Sequence, residues 1–184
     1  LPEDNLEGST EYFWRVKSVN GQKTSNWSNY FSFTTEDVEI MIDIISGWNM
    51  ISSNLVPDNQ DLSQVFNDIS EDILIVKNDK SQVYIPAYNI NTIGDWQVTD
   101  GYKVYSSSDV TLTVIGSKVK PEDQTISLNE GMNYLAYLRD TPLDIETALQ
   151  SIESNVVIVK DIDGNIYIPS FGINTIGDME TGKA

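Results

Sequence analysis

The feature that most constrains the fold is a long internal repeat. The segment ILIVKNDKSQVYIPAYNINTIGD begins at Ile73, and the segment VVIVKDIDGNIYIPSFGINTIGD begins at Val156. Gly47 also aligns with Gly131, so the period is about 83 residues, which is typical of a domain-sized unit and not of a solenoid turn. A catalytic site is usually needed once, whereas a building block can be used repeatedly. The repeat therefore favours an architectural explanation of the sequence.

The composition argues against several classes of function. The chain of 184 residues carries 28 acidic and 11 basic residues, and its net charge of −17 would repel the phosphates of nucleic acids. No apolar run reaches the roughly 20 residues that span a bilayer, so we expect no membrane insertion. The chain has no cysteine and no histidine, which excludes thiolate chemistry, thiolate metal sites and histidine-based triads.

Paired carboxylates would be the remaining route to an enzyme, as in glycoside hydrolysis. Glu71 with Asp72, and Asp161 with Asp163, are such pairs. The first pair is replaced by serine and asparagine in the second copy of the repeat, and acidic residues are so common that pairs arise by chance. We therefore predict that the protein is not an enzyme.

Each copy of the repeat predicts a β-rich unit with one short helix, so the predicted fold is mainly β. Strands are expected around Gly47 in IDIISGWNMISS and around Gly131 in QTISLNEGMNYLAYL. Asp61 and Asp144 occupy the predicted N-cap positions of the two helices. A hairpin follows each helix, and the strands GYKVYSSS and VTLTVIG complete the first copy. The predicted apolar helix faces are Leu62, Val65, Phe66 and Ile69 in the first copy and Ile145, Ala148, Leu149 and Ile152 in the second.

The start of the chain predicts a separate β-hairpin. Tyr12, Trp14 and Val16 alternate with their neighbours at a period of two, which indicates a strand, and NYFSFTT indicates a second strand. Gly21 and several asparagine and serine residues lie between them, as in a turn. Because a lone hairpin is marginal in water, its apolar face should lie on a partner.

This hairpin segment resembles the last two strands of a bacterial fibronectin type III domain. The resemblance implies that Tyr12 is the corner tyrosine, whose hydroxyl bonds to nearby backbone, and we assign structural roles to Trp14 and Trp27 as well. A complete sandwich has about seven strands, so we expect either a fragment of a longer protein or completion by another copy. The residues that carry the resemblance are Leu6, Thr10, Tyr12, WRV at 14–16, SNWS at 25–28 and FSFTT at 31–35.

The repeat itself resembles the GWN β-rich repeat of bacterial secreted and cell-surface proteins. GWNMIS at 47–52, the helix, the strand at 84–86 and GYKVY at 101–105 carry this resemblance. It implies an extracellular spacer or adhesion module with no established chemistry. We accordingly predict an incomplete fibronectin-like segment at 1–36, a first repeat at 37–121, and a truncated second repeat at 122–184.

One loop resembles the beginning of a calcium site. Asp161, Asp163 and Asn165 have the spacing of the first ligands of such a loop. The twelfth position, where a glutamate is needed, is Gly172, and the first repeat has a lysine in the corresponding loop. We therefore favour a hairpin turn with no cofactor, and Ca²⁺ binding stays as the alternative.

The sequence NTIGD occurs unchanged in both repeats and could be a ligand loop or a turn. Glycine supplies backbone freedom, and asparagine and aspartate bond locally, so we favour the turn. The residues concerned are Asn91, Gly94 and Asp95 in the first repeat and Asn174, Gly177 and Asp178 in the second.

The aromatic residues of the first repeat could form either a sugar-binding platform or a core. In the second repeat, Trp48 is replaced by Met132 and Trp96 by Met179. A core tolerates this exchange, because methionine fills irregular space, whereas a stacking platform does not. We therefore predict that Trp48 and Trp96 are buried structural residues. The full candidate platform is Trp48, Tyr84, Tyr88, Trp96 and Tyr102.

These observations predict a non-catalytic structural module of a bacterial secreted or cell-surface protein. Its expected partners are itself, through β edges that can assemble into larger structures such as filaments, or neighbouring modules of the same parent protein. One alternative is a carbohydrate-binding accessory module of a secreted hydrolase, for which solvent-facing and coplanar rings at Trp14, Trp27 and Tyr88 would be evidence. The other is a protein-binding adhesin segment involved in cell adhesion.

Overall fold

The computed structural model describes residues 6, 8, 10–35 and 37–184, so parts of the predicted fibronectin-like segment lie outside the described residues. The fold is mainly β, the strands pair antiparallel, and each repeat contains one short helix, as predicted. The helices are α1 (Leu62–Val65) and α2 (Ile145–Leu149), each continued by a 3₁₀ turn. The strands are β1 (Glu11–Trp14), β2 (Val19–Asn20), β3 (Lys23–Thr24), β4 (Phe31–Thr34), β5 (Val38–Ile44), β6 (Gly47–Ile51), β7 (Leu55–Pro57), β8 (Ile73–Lys77), β9 (Val83–Ile85), β10 (Ile90–Asn91), β11 (Tyr102–Ser106), β12 (Val110–Lys118), β13 (Leu143–Asp144), β14 (Val159–Lys160), β15 (Ile166–Ile168), β16 (Ile173–Asn174) and β17 (Asp178–Met179).

The predicted N-terminal hairpin is confirmed by the pairing of β1 with β4. The register places Tyr12 opposite Phe33 and Trp14 opposite Phe31. A second, nested hairpin joins β2 to β3 through a turn at Gly21, whose φ is +59°. Sequence reasoning treated that stretch as a simple connection, although Asn-Gly between short extended segments is a hairpin signal.

The first repeat forms two sheets around a continuous core. One sheet has the strand order β10-β9-β8-β11-β6, and the other has the order β5-β12-β7. Alternation explains the burial, because Leu112 and Val114 of β12 point inward while Thr111 and Thr113 point to solvent. The core comprises Ile42, Ile44, Ile51, Leu55, Leu62, Phe66, Ile73, Val76, Tyr84, Trp96, Tyr102, Val104, Leu112 and Val114.

Strand β12 changes partner at Gly116, which pairs with Val38 of β5 and also with Pro57 of β7. A Cβ atom at this position would lie 2.1 Å from the carbonyl oxygen of Val56. The close approach of the two backbones therefore requires glycine at this position. It allows β12 to pair with β5 on one side and with β7 on the other.

The second repeat keeps the local elements and loses the large sheets. Ile145 and Leu149 of its helix α2 form a small buried cluster with Tyr167 of β15. Strands β14, β15 and β16 reproduce the hairpin and loop of the first repeat. The strands predicted around Gly131 are wrong, because residues 124–138 form no strand and make one isolated bridge, at Leu135. The corresponding strands of the first repeat, β6 and β5, pair with β11 and β12.

Candidate functional site

The NTIGD loop of the first repeat is a turn that docks onto the start of α1. The side-chain oxygen of Asn91 accepts from the backbone N–H of Gly94 at 2.9 Å, and its amide nitrogen donates to the Gly94 carbonyl at 3.0 Å. The same carbonyl accepts from the N–H of Leu62 at 3.0 Å. The loop residue Asp95 forms an antiparallel bridge with Asp61. Gly94 has a φ of +80°, which glycine adopts without strain.

The second repeat reproduces this arrangement. Asn174 accepts from the N–H of Gly177 at 2.9 Å, and the Gly177 carbonyl accepts from the N–H of Ile145 at 2.9 Å. Asp178 pairs with Asp144 across β17 and β13. The conserved chemistry of the two loops is thus the satisfaction of orphan N–H groups at a helix start, which is a structural task.

Asp61 and Asp144 cap the helices, as predicted. The Asp61 carboxylate accepts from the backbone N–H of Ser63 at 2.8 Å and from its hydroxyl at 2.5 Å. These hydrogen bonds hold the pKa of Asp61 below its ordinary value. The Asp144 carboxylate accepts from the N–H of Glu146 at 3.0 Å. Both caps belong to the same supersecondary unit as the NTIGD loop.

The candidate calcium loop is a hairpin turn in this structure. The two carboxylate oxygens of Asp161 accept from the backbone N–H of Asn165 at 2.8 Å and from its side-chain amide at 2.7 Å. Gly164 has a φ of +90°, and Asp163 is exposed. In the described part of the chain, no group of three or more acidic side chains could hold a metal ion. The Asp161 oxygens are therefore used within the turn.

The candidate glycan platform does not form a single face. Tyr84, Trp96 and Tyr102 lie in the core, where Trp96 is 1% exposed and stacks on Tyr102 with ring centroids 4.6 Å apart. Burial raises the pKa of Tyr102, and its hydroxyl oxygen accepts from the N–H of Gln97 at 2.7 Å. Tyr88 is strongly exposed.

The expected burial of Trp48 is wrong, because its side chain is 36% exposed on the outer face of the five-stranded sheet. The neighbouring Asn49 points inward instead and bonds to the backbone N–H and carbonyl of Ile45, at 3.0 and 2.8 Å. This bracing closes the turn at Gly47 and directs the tryptophan outward. Asn133 makes the same bonds to Asn129 in the second repeat. The asparagine shared by GWN and GMN was therefore the sequence signal that the residue after Trp48, and not Trp48 itself, points inward.

Two lysines that sequence reasoning did not consider lie against Trp48. The ammonium nitrogens of Lys103 and Lys77 are 4.8 and 5.3 Å from its ring centroid, within cation–π range. Tyr105 meets the same ring edge-on at 5.0 Å. We call Trp48, Lys77, Lys103 and Tyr105 the Trp48 cluster.

The N-terminal hairpin carries exposed rings on both faces. Trp14 stacks on Phe31 at 4.9 Å and is 46% exposed. Trp27 is 47% exposed, but the Arg15 guanidinium and the Lys17 ammonium lie 4.5 and 4.7 Å from its ring centroid. Cations therefore contact the Trp27 ring, whereas Trp14 and Phe31 of the stacked pair are 46% and 51% exposed.

The two repeats meet in a hydrogen-bonded junction. In the first repeat, the N–H of Ser52 donates to the carbonyl of Gly182 at 3.2 Å, and the Ser52 hydroxyl donates to the carbonyl of Lys183. The same hydroxyl accepts from the N–H of Tyr137 at 3.1 Å. One fully buried serine thus joins two separate segments of the second repeat.

A second part of the junction lies at Gly101, where the first repeat again donates to the second. Gly101 of the first repeat donates its N–H to the carbonyl of Tyr134 at 3.0 Å, and Asp100 bridges to Leu135. A Cβ atom at Gly101 would lie 2.8 Å from that of Ala184, so close packing here requires glycine. The junction therefore combines two backbone hydrogen bonds from the first repeat to the second with the two bonds of the Ser52 hydroxyl.

Comparisons with known proteins give little guidance. No family model matches the chain, and no solved structure matches it. The chain is similar to a CTP synthase of Lactobacillus johnsonii (strain CNCM I-12250 / La1 / NCC 533), with 30% identity over 89 residues. That stretch covers 47% of this chain and 16% of the CTP synthase, which is too little to assign an activity. Among the described residues, no helix is both long enough and apolar enough to cross a bilayer.

Proposed function

We propose that this protein is a non-catalytic structural module that acts as a spacer or assembly element of a bacterial secreted or cell-surface protein. The observation that carries the proposal is the hydrogen-bonded junction, because bonds at two places, Ser52 and Gly101, join the two repeats into one unit. The sequence resemblance to fibronectin type III strands and GWN repeats supports the extracellular location.

The repeated chemistry supports a structural role. The residues shared by the two repeats, such as Asn91 with Asn174 and Gly94 with Gly177, bond to helix starts and within turns. The carboxylates of Asp61, Asp72 and Asp161 likewise accept hydrogen bonds from nearby serine or asparagine residues. These contacts fix the backbone.

Removal of the Ser52 hydroxyl tests the spacer function. Ser52→Ala should cost about 1–3 kcal/mol in unfolding free energy, because the buried Tyr137 N–H and Lys183 carbonyl lose their partner. It should also separate unfolding of the second repeat as an earlier transition in urea.

Ser53→Ala is the matched control, since Ser53 is equally buried but bonds locally to the N–H of Leu55. If the wild-type chain already unfolds in two independent steps, or if both variants behave alike, the repeats are not mechanically coupled and the spacer proposal fails.

Strand β5 is the best candidate for assembly through β edges. It lies at the edge of its sheet, is seven residues long, and presents Met41, which is strongly exposed. Acidic Glu39 and Asp43 also point to solvent and oppose pairing, as charges on edge strands do. Association should therefore be weak and should increase with salt, which screens the net charge of −17.

Light scattering over a dilution series tests this assembly. We expect concentration-dependent oligomers that Met41→Lys abolishes and that Met132→Lys, a change at another exposed methionine outside the strands, leaves intact. A monodisperse monomer at all concentrations and salt levels would remove assembly from the proposal and leave the spacer.

A further inference from the structure

The Trp48 cluster contains two lysines placed directly opposite each other. Lys77 of β8 and Lys103 of β11 are register partners in adjacent strands. Like charges in this position destabilise a sheet, because their side chains stand close together on one face. Tyr105 of β11 is the register partner of Trp48 in the next strand, β6, and the two rings are in contact. The two rings and both ammonium groups therefore lie on the outer face of the sheet.

Among the described residues, three lysines pair with carboxylates, and Lys77 and Lys103 are not among them. Lys80 pairs with Asp100, Lys118 pairs with Asp140 and Lys183 pairs with Glu180. In the described part of the chain, neither Lys77 nor Lys103 forms such a pair, although acidic residues outnumber basic ones by 28 to 11. The arrangement leaves two adjacent positive charges open to an external anion.

A surface cavity adjoins the cluster at Lys77. Its volume is about 290 Å³, and it lies between the β8–β9 turn of the first repeat and the second-repeat segment that forms the junction. Ser81, Gln82 and the acidic Asp79 line one side, and Met132 and Tyr134 line the other. A ligand that contacts both lysines and the Trp48 ring could extend into this cavity.

We propose that the Trp48 cluster and this cavity bind a carboxylated saccharide. A carboxylate between Lys77 and Lys103 would make charge-assisted hydrogen bonds and relieve their mutual repulsion. A sugar ring held by the lysines would lie against the Trp48 side chain, which is 36% exposed beside the two ammonium groups. Sugar hydroxyls fit the polar side of the cavity. An acidic peptide could satisfy the lysines, but the polar-lined cavity beside an aromatic ring favours the saccharide. The proposal does not depend on the spacer function.

Calorimetry with trigalacturonic acid tests the proposal. We expect a dissociation constant at or below about 1 mM, which weakens as salt rises. The fully methyl-esterified trimer keeps the rings and loses the charges, so it should bind at least roughly tenfold more weakly.

Three variants locate the site. Lys103→Gln should weaken binding roughly tenfold, since a charged hydrogen bond is lost. Trp48→Met, which installs the residue of the second repeat, should weaken it by a similar factor. Lys160→Gln is the control, because Lys160 corresponds to Lys77 and has no tryptophan at the matching position.

The melting temperature distinguishes a binding role from a structural one. Without saccharide, Lys103→Gln should melt at the same temperature as the wild type or higher, because it removes like-charge repulsion. A lower melting temperature would indicate that the lysine stabilises the fold through its cation–π contact. This lower melting temperature would overturn the proposal. So would the absence of trigalacturonate binding at about 10 mM, or affinities that Lys103→Gln and Trp48→Met leave unchanged. Equal binding of a hexaglutamate peptide would also overturn it.

Discussion

The two repeats share their local chemistry and differ in their sheets. Both have an aspartate cap, a short helix, a hairpin and an NTIGD loop docked onto the helix. Among the described residues, the first repeat has the long strands β11 and β12 and an extensive core, and the second repeat has a small core. The comparison teaches that turns and caps form from nearby residues, whereas the core depends on strands contributed from far along the chain.

The largest expected effect concerns the two cores. Leu62→Ala should cost about 4 kcal/mol in unfolding free energy, because the fully buried side chain lies in the extensive cluster and its loss leaves a cavity. Ile145→Ala, at the matching position, should cost only about 2 kcal/mol, because the smaller cluster can relax. Urea unfolding measures both values, and equal costs would contradict the contrast between the cores.

A smaller effect is expected from the helix caps, and it should be equal in the two repeats. Asp61→Ala and Asp144→Ala should each cost about 1 kcal/mol, since each removes a carboxylate that accepts from N–H groups of the first turn. Thermal unfolding with circular dichroism measures the shifts. A cost confined to Asp61 would mean that the second cap depends on the sheets and is not local.

The smallest effect is the pH dependence of the Asp61 cap. The folded-state pKa is lowered by hydrogen bonds from Ser63, so its stabilising contribution is present above the unfolded-state pKa of about 3.9. This contribution is lost as the pH falls through the folded-state pKa. The melting-temperature difference between the wild type and Asp61→Asn should therefore shrink as the pH is lowered from about 5 toward 2. A difference that stays constant would show that the carboxylate charge is irrelevant to the cap.

The sequence predicted the features that short-range patterns determine. The caps at Asp61 and Asp144, the paired hairpins and the buried Trp96 all follow from spacing within a few residues or from comparison of the two copies. Alternation alone could not predict which face of β6 points inward. Asn49 takes the inner position because it closes a turn, and the larger apolar Trp48 is left outside.

The remaining failures are non-local. Strands were predicted around Gly131, but strand formation there needs partners equivalent to β11 and β12. The opposition of Lys77 and Lys103 depends on the register of two strands separated in sequence, so no local pattern reveals it. The role of Ser52 likewise depends on contacts with a segment more than a hundred residues away, at a separation of 131 positions for Lys183.

Hydrogen exchange at the junction tests the central claim that the two repeats form one unit. The backbone N–H groups of Ser52 and Gly101 donate across the junction, to Gly182 and Tyr134. If the repeats are coupled, these amides should exchange as slowly as those of β11 in the core sheet, and Ser52→Ala should accelerate both. Exchange as fast as that of residues 124–130, which form no strand, would contradict the account and show that the repeats move independently.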